Sequence, residues 1–492
     1  MSNKKRMYWN IVKTIGIISI VIGHSWASLG KFVYFYHLAL FFFVGGALYN
    51  EKKYGNDPYL NFLSKIKNNW PKYVGFSIFL TLIHNTLFNY GLLENAVLYS
   101  PKSILAYCLN CIMFGCIEDM AAGLWFVSVY ILSSTLFGSL VYFSNKVSSA
   151  IIKKKELCKN ISLIILTIIC GLLGLLLNEK MVNLAFHAQT VPLVIPFFTA
   201  GYYFSKRKSY VHSIIQAILF IISCGLLYYT YKNLSIYIDL SCNRVSNVYL
   251  FYIISFIGIY WCLYLSKIIL NIKYIKNIFN KIGTYSFEIM ALHFVIFKLI
   301  DYSYAKLNGI VDPNVYGVFP YAFKQLSLIY VLLGVALPTI LFLAIDFLKK
   351  NGKDLFKKYH EIIMYLIFGI LTTAISLIVY YALTLTILDP HNSICLQIAN
   401  ILSWIAGVLF AYFTNRKYVF ESNSKNKLKE FSAFVGARIT TLILDMIIMG
   451  VGVSLLHVND KLLKIVSQIL VIIVNYILSK LVIFNKKDIK NS

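Results

Sequence analysis

Long apolar runs broken by short polar segments dominate the chain, and nearly every run approaches the roughly 20 residues that a helix needs to cross a bilayer. Spans are expected near 10–28, 32–49, 73–93, 123–143, 161–177, 185–204, 212–231, 248–268, 284–300 and 325–346. Four more follow near 364–387, 393–414, 431–456 and 462–484. The polar breaks test this count, because Lys and Arg collect in cytoplasmic loops. Lys4, Lys5 and Arg6 fall on one side with Lys52, Lys53, Lys65, Lys67 and Lys72, then with Lys153, Lys154 and Lys155. Lys206, Arg207 and Lys208, Lys273, Lys276 and Lys281, and Lys349, Lys350, Lys357 and Lys358 share that side, as do Arg416, Lys417, Lys486 and Lys487. The pattern predicts an all-α integral membrane protein of about 14 transmembrane helices, ten followed by four, with both termini cytoplasmic. The register holds only if the apolar stretch 103–116 does not cross, so that stretch is expected to be re-entrant or interfacial.

The basic stretch from Lys349 to His360 contains Asn351-Gly352, a turn signal, and separates the ten spans from the four. The expected organisation is a membrane domain at 1–348, a basic cytoplasmic linker at 349–363 and a four-helix membrane domain at 364–486. The last domain carries a weak internal repeat. Asn415-Arg416-Lys417-Tyr418-Val419-Phe420 closes one helix pair and Ser479-Lys480-Leu481-Val482-Ile483-Phe484 the next, while Thr372-Thr373 and Thr440-Thr441 recur near the starts. Two helical hairpins are therefore read as duplicated.

Composition agrees with a bilayer as solvent: of 492 residues, 59% are hydrophobic and 13% charged, too apolar for a soluble multidomain protein. The formal charge of +26 could signal nucleic acid, but the cations sit in short clusters between apolar runs, so no nucleic-acid partner is expected. Nine Cys are scattered, and only Cys108, Cys111 and Cys116 cluster, without the second cluster that a metal site needs. No metal is expected. The apolar segment after the basic start has no small-residue cleavage site, so it is expected to be retained.

Ionisable side chains inside spans are costly, and each is a functional candidate. The first span carries Lys13 and His24, about 16 Å apart along a helix and, after about three turns, on roughly one face. Lys13 lies near the cytoplasmic mouth and His24 deeper. His37 lies in the returning second span at a depth similar to His24, and His293 lies in the ninth span after Gly283-Thr284-Tyr285-Ser286-Phe287-Glu288. A neutral His can take the proton of a sugar hydroxyl as its oxygen attacks an activated acyl carbon, while a cation such as Lys13 can hold phosphate or developing negative charge. Plain structural readings compete: His37 and His293 as packing residues bonded to carbonyls, Lys13 snorkelling to the interface, Glu288 at a helix end, and Trp26 and Trp125 in an aromatic belt.

Tyr8-Trp9-Asn10-Ile11-Val12-Lys13, continuing through Ile22-Gly23-His24-Ser25, resembles the opening helix of the membrane acyltransferase family known as acyltransferase 3, which includes bacterial polysaccharide O-acetyltransferases. Tyr36-His37-Leu38-Ala39-Leu40-Phe41-Phe42-Phe43-Val44-Gly45-Gly46 is similar to its second helix, Leu124-Trp125-Phe126 to its aromatic signature, and Gly283-Thr284-Tyr285-Ser286 leading to His293 to its late helix. The likeness covers about 5–346. It departs at Asn10, where Asp is usual, at Ala39, where Pro is usual, and at Gly45, where Ser is common. The resemblance implies His24 as the catalytic base, Lys13 as its basic companion, acetyl-CoA as the cytoplasmic donor with no bound cofactor, and a bacterial plasma membrane. His37, Trp125 and His293 are then expected to contact substrate.

The last 130 or so residues resemble the GtrA-like proteins, four-span modules associated with moving polyprenyl-phosphate-linked sugars across the membrane; Asn415-Arg416-Lys417-Tyr418-Val419-Phe420 carries the likeness, with Phe368-Gly369, Thr372 and Thr373. There Arg416 is expected either to meet a lipid phosphate or to anchor the inner surface, and Arg438 and Asp445, two turns apart, either to pair or to line a polar path. Taken together, the reading is an O-acyltransferase that moves an acyl group, acetyl as the resemblance implies, from acyl-CoA to a hydroxyl of a surface glycan or its lipid-linked precursor. The competing reading is a flippase of polyprenyl-phosphate-linked sugar without acyl transfer.

Overall fold

A computed structural model describes residues 2–484, apart from 94–95, 151–154, 208–212, 311–316, 318, 321, 389–392, 423, 425 and 450–469. The chain forms two compact units, Met1–Ile345 and Asp346–Ser492. It is an all-α membrane protein whose described strands are one two-residue antiparallel pair, Ile238–Asp239 with Arg244–Val245. Among the described residues ten helices are long and apolar enough to cross a membrane, or eleven when one bent pair is counted. The expected spans at 73–93 and 185–204 are not among these ten. Parts of the expected spans 431–456 and 462–484, and the side chain of Asp445, lie outside the described residues.

In the first unit α1 (Asn3–Ser25) is central, packed by α2 (Ala27–Val33), α3 (His37–Ala47), and later by α11 (Val248–Leu270), α12 (Ile275–Thr284) and α13 (Ser286–Leu307). The short α4 (Glu51–Tyr54) leads to α5 (Pro58–Asn89), which begins well before the expected span. Its early start has a local cause: the Asp57 carboxylate accepts from Leu60 N at 2.9 Å and Pro58 occupies the first turn, a strong helix start that carries the basic residues Lys65, Lys67 and Lys72 into the helix. α6 (Pro101–Ile112) precedes a 3₁₀ turn, Asp119–Leu124, and then come α7 (Trp125–Ser149), α8 (Lys155–Glu179), α9 (Val191–Lys206) and α10 (Ser213–Asn233). α9 has only 16 residues because a 3₁₀ segment, Ala185–Thr190, replaces the expected first turn; Phe186 and His187 there have φ of 60° and 57°.

Close backbone approach fixes the helix pairs. A Cβ on Gly46 would strike Phe198 O, and one on Gly201 would strike Phe43 O, so α3 and α9 meet through two glycines. α12 meets α1 in the same way at Gly283 and Asn10 O. The Asn10 amide donates to Asn280 Oδ1 at 2.9 Å and to Thr284 Oγ1 at 3.3 Å, so Asn10 serves here to dock α12. α12 and α13 bend by 82° at their junction.

The stretch 103–116 turns back on itself. Asn85 near the end of α5 holds Tyr99 through two backbone hydrogen bonds of 2.8 and 2.9 Å, and the adjacent His84 holds Glu118 at 2.9 Å. Between these points Ile112 O accepts from Trp70 Nε1 and Cys116 N donates to the Tyr73 hydroxyl, several turns back along α5. The segment therefore starts and finishes at one level of α5 and dips toward its middle, and α6 at 12 residues spans only ~18 Å, too short to cross.

α14 (Ser327–Thr386) runs through the expected linker 349–363 as helix, broken at Tyr359 (φ −110°, ψ 17°). Asn351-Gly352, a turn signal in isolation, lies within this helix. In the second unit α15 (Ser393–Thr414) and α16 (Lys427–Met449) follow, and a helical stretch over 470–483 closes the described chain. The two copies of the repeat adopt the same unusual form: Asn415–Val419 and Ser479–Ile483 are both π-helical turns, and the Phe420 and Phe484 rings that follow them stack at 5.0 Å. Ion pairs are exchanged between the hairpins, with Arg416 of the first on Glu430 of the second (3.2 Å) and Lys480 of the second on Glu361 of the first (2.6 Å). Tyr412 on Phe434 and Tyr476 on Tyr365 repeat the exchange in the core. The weak sequence repeat is thus a structural one.

Candidate functional site

A cavity of about 750 Å³ opens in the first unit where α1 and α3 approach the starts of α7 and α13 and the loop between α10 and α11. His24, His37 and Trp125 line it, with Tyr34, Phe294 and Phe319 beside them and Tyr231, Lys232 and Asp239 opposite. Such a lining, aromatic faces with a few polar groups, suits the apolar faces and hydroxyls of a sugar.

His24 Nδ1 lies 2.8 Å from Nε2 of His293, the two rings nearly parallel at 16°. The other nitrogen of His293, Nδ1, lies 3.0 Å from the Ile289 carbonyl. A carbonyl only accepts, so His293 carries its proton on Nδ1 and in its neutral form offers a lone pair at Nε2. His24 then donates from Nδ1 and keeps its own lone pair on Nε2. His293 is fully buried while His24 is half-buried against the cavity, so the pair has an inner member and an outer, accessible one. Phe294 stacks on His24 at 5.0 Å and fixes the ring plane. His37 likewise donates from Nδ1 to Val33 O at 2.8 Å, which leaves its Nε2 as an acceptor on the cavity side of α3.

Lys13 does not line this cavity. It is half-buried within the electrostatic reach of Arg6, Lys72 and Glu288, toward the other end of α1. Lys72 Nζ pairs with Glu288 Oε1 at 2.6 Å, and Glu288 is 6% exposed. Lys72, Lys13 and Arg6 thus outnumber one carboxylate in this neighbourhood, which carries excess positive charge. The sequence pattern reads Glu288 as a helix end; only the fold brings it to Lys72, 216 positions away. Of the expected site residues, the structure gathers His24, His37 and Trp125 on one cavity and His293 directly behind it, and holds Lys13 apart by ~16 Å along α1. In the second unit Arg416 donates from Nε to Glu430 and from Nη2 to Ser424 O, holding the turn between α15 and α16.

A family model described as an acyltransferase domain matches residues 7–381, and one described as the GtrA/DPMS transmembrane domain matches residues 364–484. Among curated relatives, the cell wall teichoic acid glycosylation protein GtcA of Listeria monocytogenes is 37% identical over 131 residues, 26% of this chain and 87% of the relative. GtcA of Listeria innocua is 41% identical over 128 residues, 25% of this chain and 85% of the relative. The uncharacterized membrane protein YwcD of Bacillus subtilis is 34% identical over 126 residues, 25% of this chain and 95% of the relative. No solved structure matches.

Proposed function

Because the chain belongs to the acyltransferase 3 family, joined to a C-terminal GtrA/DPMS transmembrane domain, we propose that this multi-pass bacterial membrane acyltransferase moves an acetyl group from acetyl-CoA to a hydroxyl of a cell-surface glycan. The observation that carries the reading is the hydrogen bond from His24 Nδ1 to His293, which leaves His24 Nε2 as a base on an aromatic-lined cavity. His24 Nε2 removes the proton of the acceptor hydroxyl while the oxygen attacks the thioester carbon. The new C–O bond forms, the C–S bond breaks, and the proton passes from His24 to the departing CoA thiolate. The imidazolium formed on the way is the species that a neutral His293 acceptor stabilises through Nδ1–H. His37 Nε2 and Trp125 orient the sugar.

Lys13 and Lys72 supply the donor's counter-charge: their excess over Glu288 suits the phosphates of coenzyme A, whose long thioester arm then reaches along α1 toward His24. Basic residues are denser at the Lys13 end of α1, with Lys4, Lys5, Arg6 and Lys72, than at the His24 end, which supports a cytoplasmic donor and an acceptor approaching from the outer side. Relatives of the second unit are named for teichoic acid glycosylation, which supports a glycosylated wall polymer, or its lipid-linked precursor, as acceptor. In that case the second unit presents or moves the lipid-linked form.

Release of acetate by mild alkali from purified surface glycan tests this in cells producing the intact protein or His24→Ala at equal membrane abundance. Loss of ester with the variant is expected. Unchanged ester with an altered amount of glycan would instead make the protein a transporter.

A further inference from the structure

Among the buried titratable side chains that the mechanism leaves unused is the pair His84 and Glu118. His84 is 4% exposed and Glu118 7%, and the two meet at 2.9 Å. His84 Nε2 also lies 3.0 Å from Val97 O, and Tyr99 stacks on the imidazole at 3.5 Å with the planes 5° apart. Val97 O only accepts, so Nε2 carries a proton, while Nδ1 shares a hydrogen with the Glu118 carboxyl: the pair is a side-chain hydrogen bond enclosed by the hairpin. Its place in the fold is specific. Val97 and Tyr99 lie where the re-entrant segment begins, and Glu118 lies where it ends, so a single imidazole ties both limbs to α5.

Glu118 is followed at once by the Asp119–Leu124 turn, and that turn abuts the histidine pair. A Cβ placed on Gly123 would sit 3.2 Å from Met290 O and 3.5 Å from His293 Cε1. Met120 and Leu124 share a buried cluster with Ile289 and Phe294, the neighbours of His293 on α13. Ala122 and Gly123 themselves line the cavity.

We propose that His84 and Glu118 are a positioning pair that closes the re-entrant hairpin, presses the Asp119–Leu124 turn against His293 and so sets the geometry of the His24–His293 pair. The proposal rests on the acyl-transfer reading above for its catalytic consequence, but its structural half stands alone. Neither residue touches the reacting atoms. Their effect falls on the alignment of the base, and a displacement of about 1 Å there lowers turnover by up to about a hundredfold.

The test uses the full-length protein in inverted membrane vesicles, with His84→Gln, Glu118→Gln and the double variant. Two quantities are read: incorporation of acetyl from acetyl-CoA into glycan as donor concentration varies, and N-ethylmaleimide labelling of Cys111, mapped by mass spectrometry. Cys111 is fully buried within the closed hairpin and reports its opening. Each single variant is expected to raise Cys111 labelling about fivefold or more and to lower the maximal rate about tenfold or more with the KM for acetyl-CoA unchanged. The double variant, in which two amides restore an uncharged hydrogen bond, is expected to recover both quantities toward the wild type. Asn85→Asp, which weakens the clasp on Tyr99 and leaves the buried pair in place, is expected to move both readouts in the same direction by less, and it decides the matter if a single variant fails to accumulate. A rate loss with unchanged Cys111 labelling, or a double variant no better than the singles, overturns the proposal. If the wild type itself incorporates no acetyl, the acyl-transfer reading fails, while Cys111 labelling still decides whether the pair closes the hairpin.

Discussion

Replacing His293 separates an orienting role from a packing one. In His293→Phe the ring volume is kept, but the acceptor for His24 Nδ1–H, 2.8 Å away in the native protein, is gone. A buried donor then loses its partner, at a cost of about 1–3 kcal/mol, and His24 is free to take the other tautomer, with its proton on the nitrogen that should act as base. Loss of a positioned general base lowers turnover by about 10²–10⁴-fold, which at 1.36 kcal/mol per decade is about 3–5 kcal/mol of barrier. His293→Gln can still accept through its amide oxygen, so it is expected to stay well above the Phe variant, within about tenfold of the wild type. The assay is initial-rate acetyl transfer from acetyl-CoA in vesicles, normalised to folded protein by size-exclusion chromatography in detergent. Equal activity of the Phe and Gln variants, or a Phe variant within threefold of the wild type, would refute the tautomer argument and return His293 to a packing role.

Other outcomes follow from the remaining charges and contacts. Lys13→Gln is expected to raise the KM for acetyl-CoA by roughly tenfold while Lys13→Arg stays near the wild type, because a charged hydrogen bond to phosphate contributes about 1.5–3 kcal/mol; vesicle kinetics over a range of donor concentrations check it. At the Lys206 end of α9, burial pushes the Glu51 carboxyl up, but hydrogen bonds from Lys159, Lys206 and Tyr202 outweigh it and hold it down at about 2. Its stabilisation is therefore fully present above its ordinary value of 4.5 and is lost as pH falls toward 2. Melting curves in detergent should show Glu51→Gln less stable than the wild type at pH 6, with the gap closing as the pH drops through this window. Gly46→Val places side-chain atoms against Phe198 O and is expected to lower membrane abundance severalfold, by the ~1–3 kcal/mol of an overpacked interface; immunoblotting of membranes measures it.

How much of this was legible in the sequence depends on whether the signal is local. Apolar runs and basic breaks give most helices, and the first of them already carries both Lys13 and His24. The same pattern flags 103–116 as non-crossing, and α6 turns back as expected. What the runs miss is set by caps and breaks: Asp57 and Pro58 extend α5 by some fifteen residues beyond its apolar core, and Phe186 and His187 in left-handed backbone shorten α9. Spacing along one helix also says nothing of what lies beside it. Lys13 and His24 share a face of α1 but serve different neighbourhoods, because α12 and Glu288 pack at one and His293 at the other. Pairs made by distant segments are invisible without the fold: His84 and Glu118 are 34 positions apart and meet only because the hairpin returns. In the second unit the repeated motifs were readable, but not that each cation pairs with the opposite hairpin's Glu.

The central claim is that His24, oriented by His293, catalyses acetyl transfer to a surface glycan. Full-length protein reconstituted in liposomes, supplied with [¹⁴C]acetyl-CoA and purified wall glycan, tests it most directly when wild type and His24→Gln are compared for alkali-labile label on the glycan. Label from the wild type and at least about a hundredfold less from the variant is the predicted result. Equal label from both, or none from a correctly folded wild type, would contradict it.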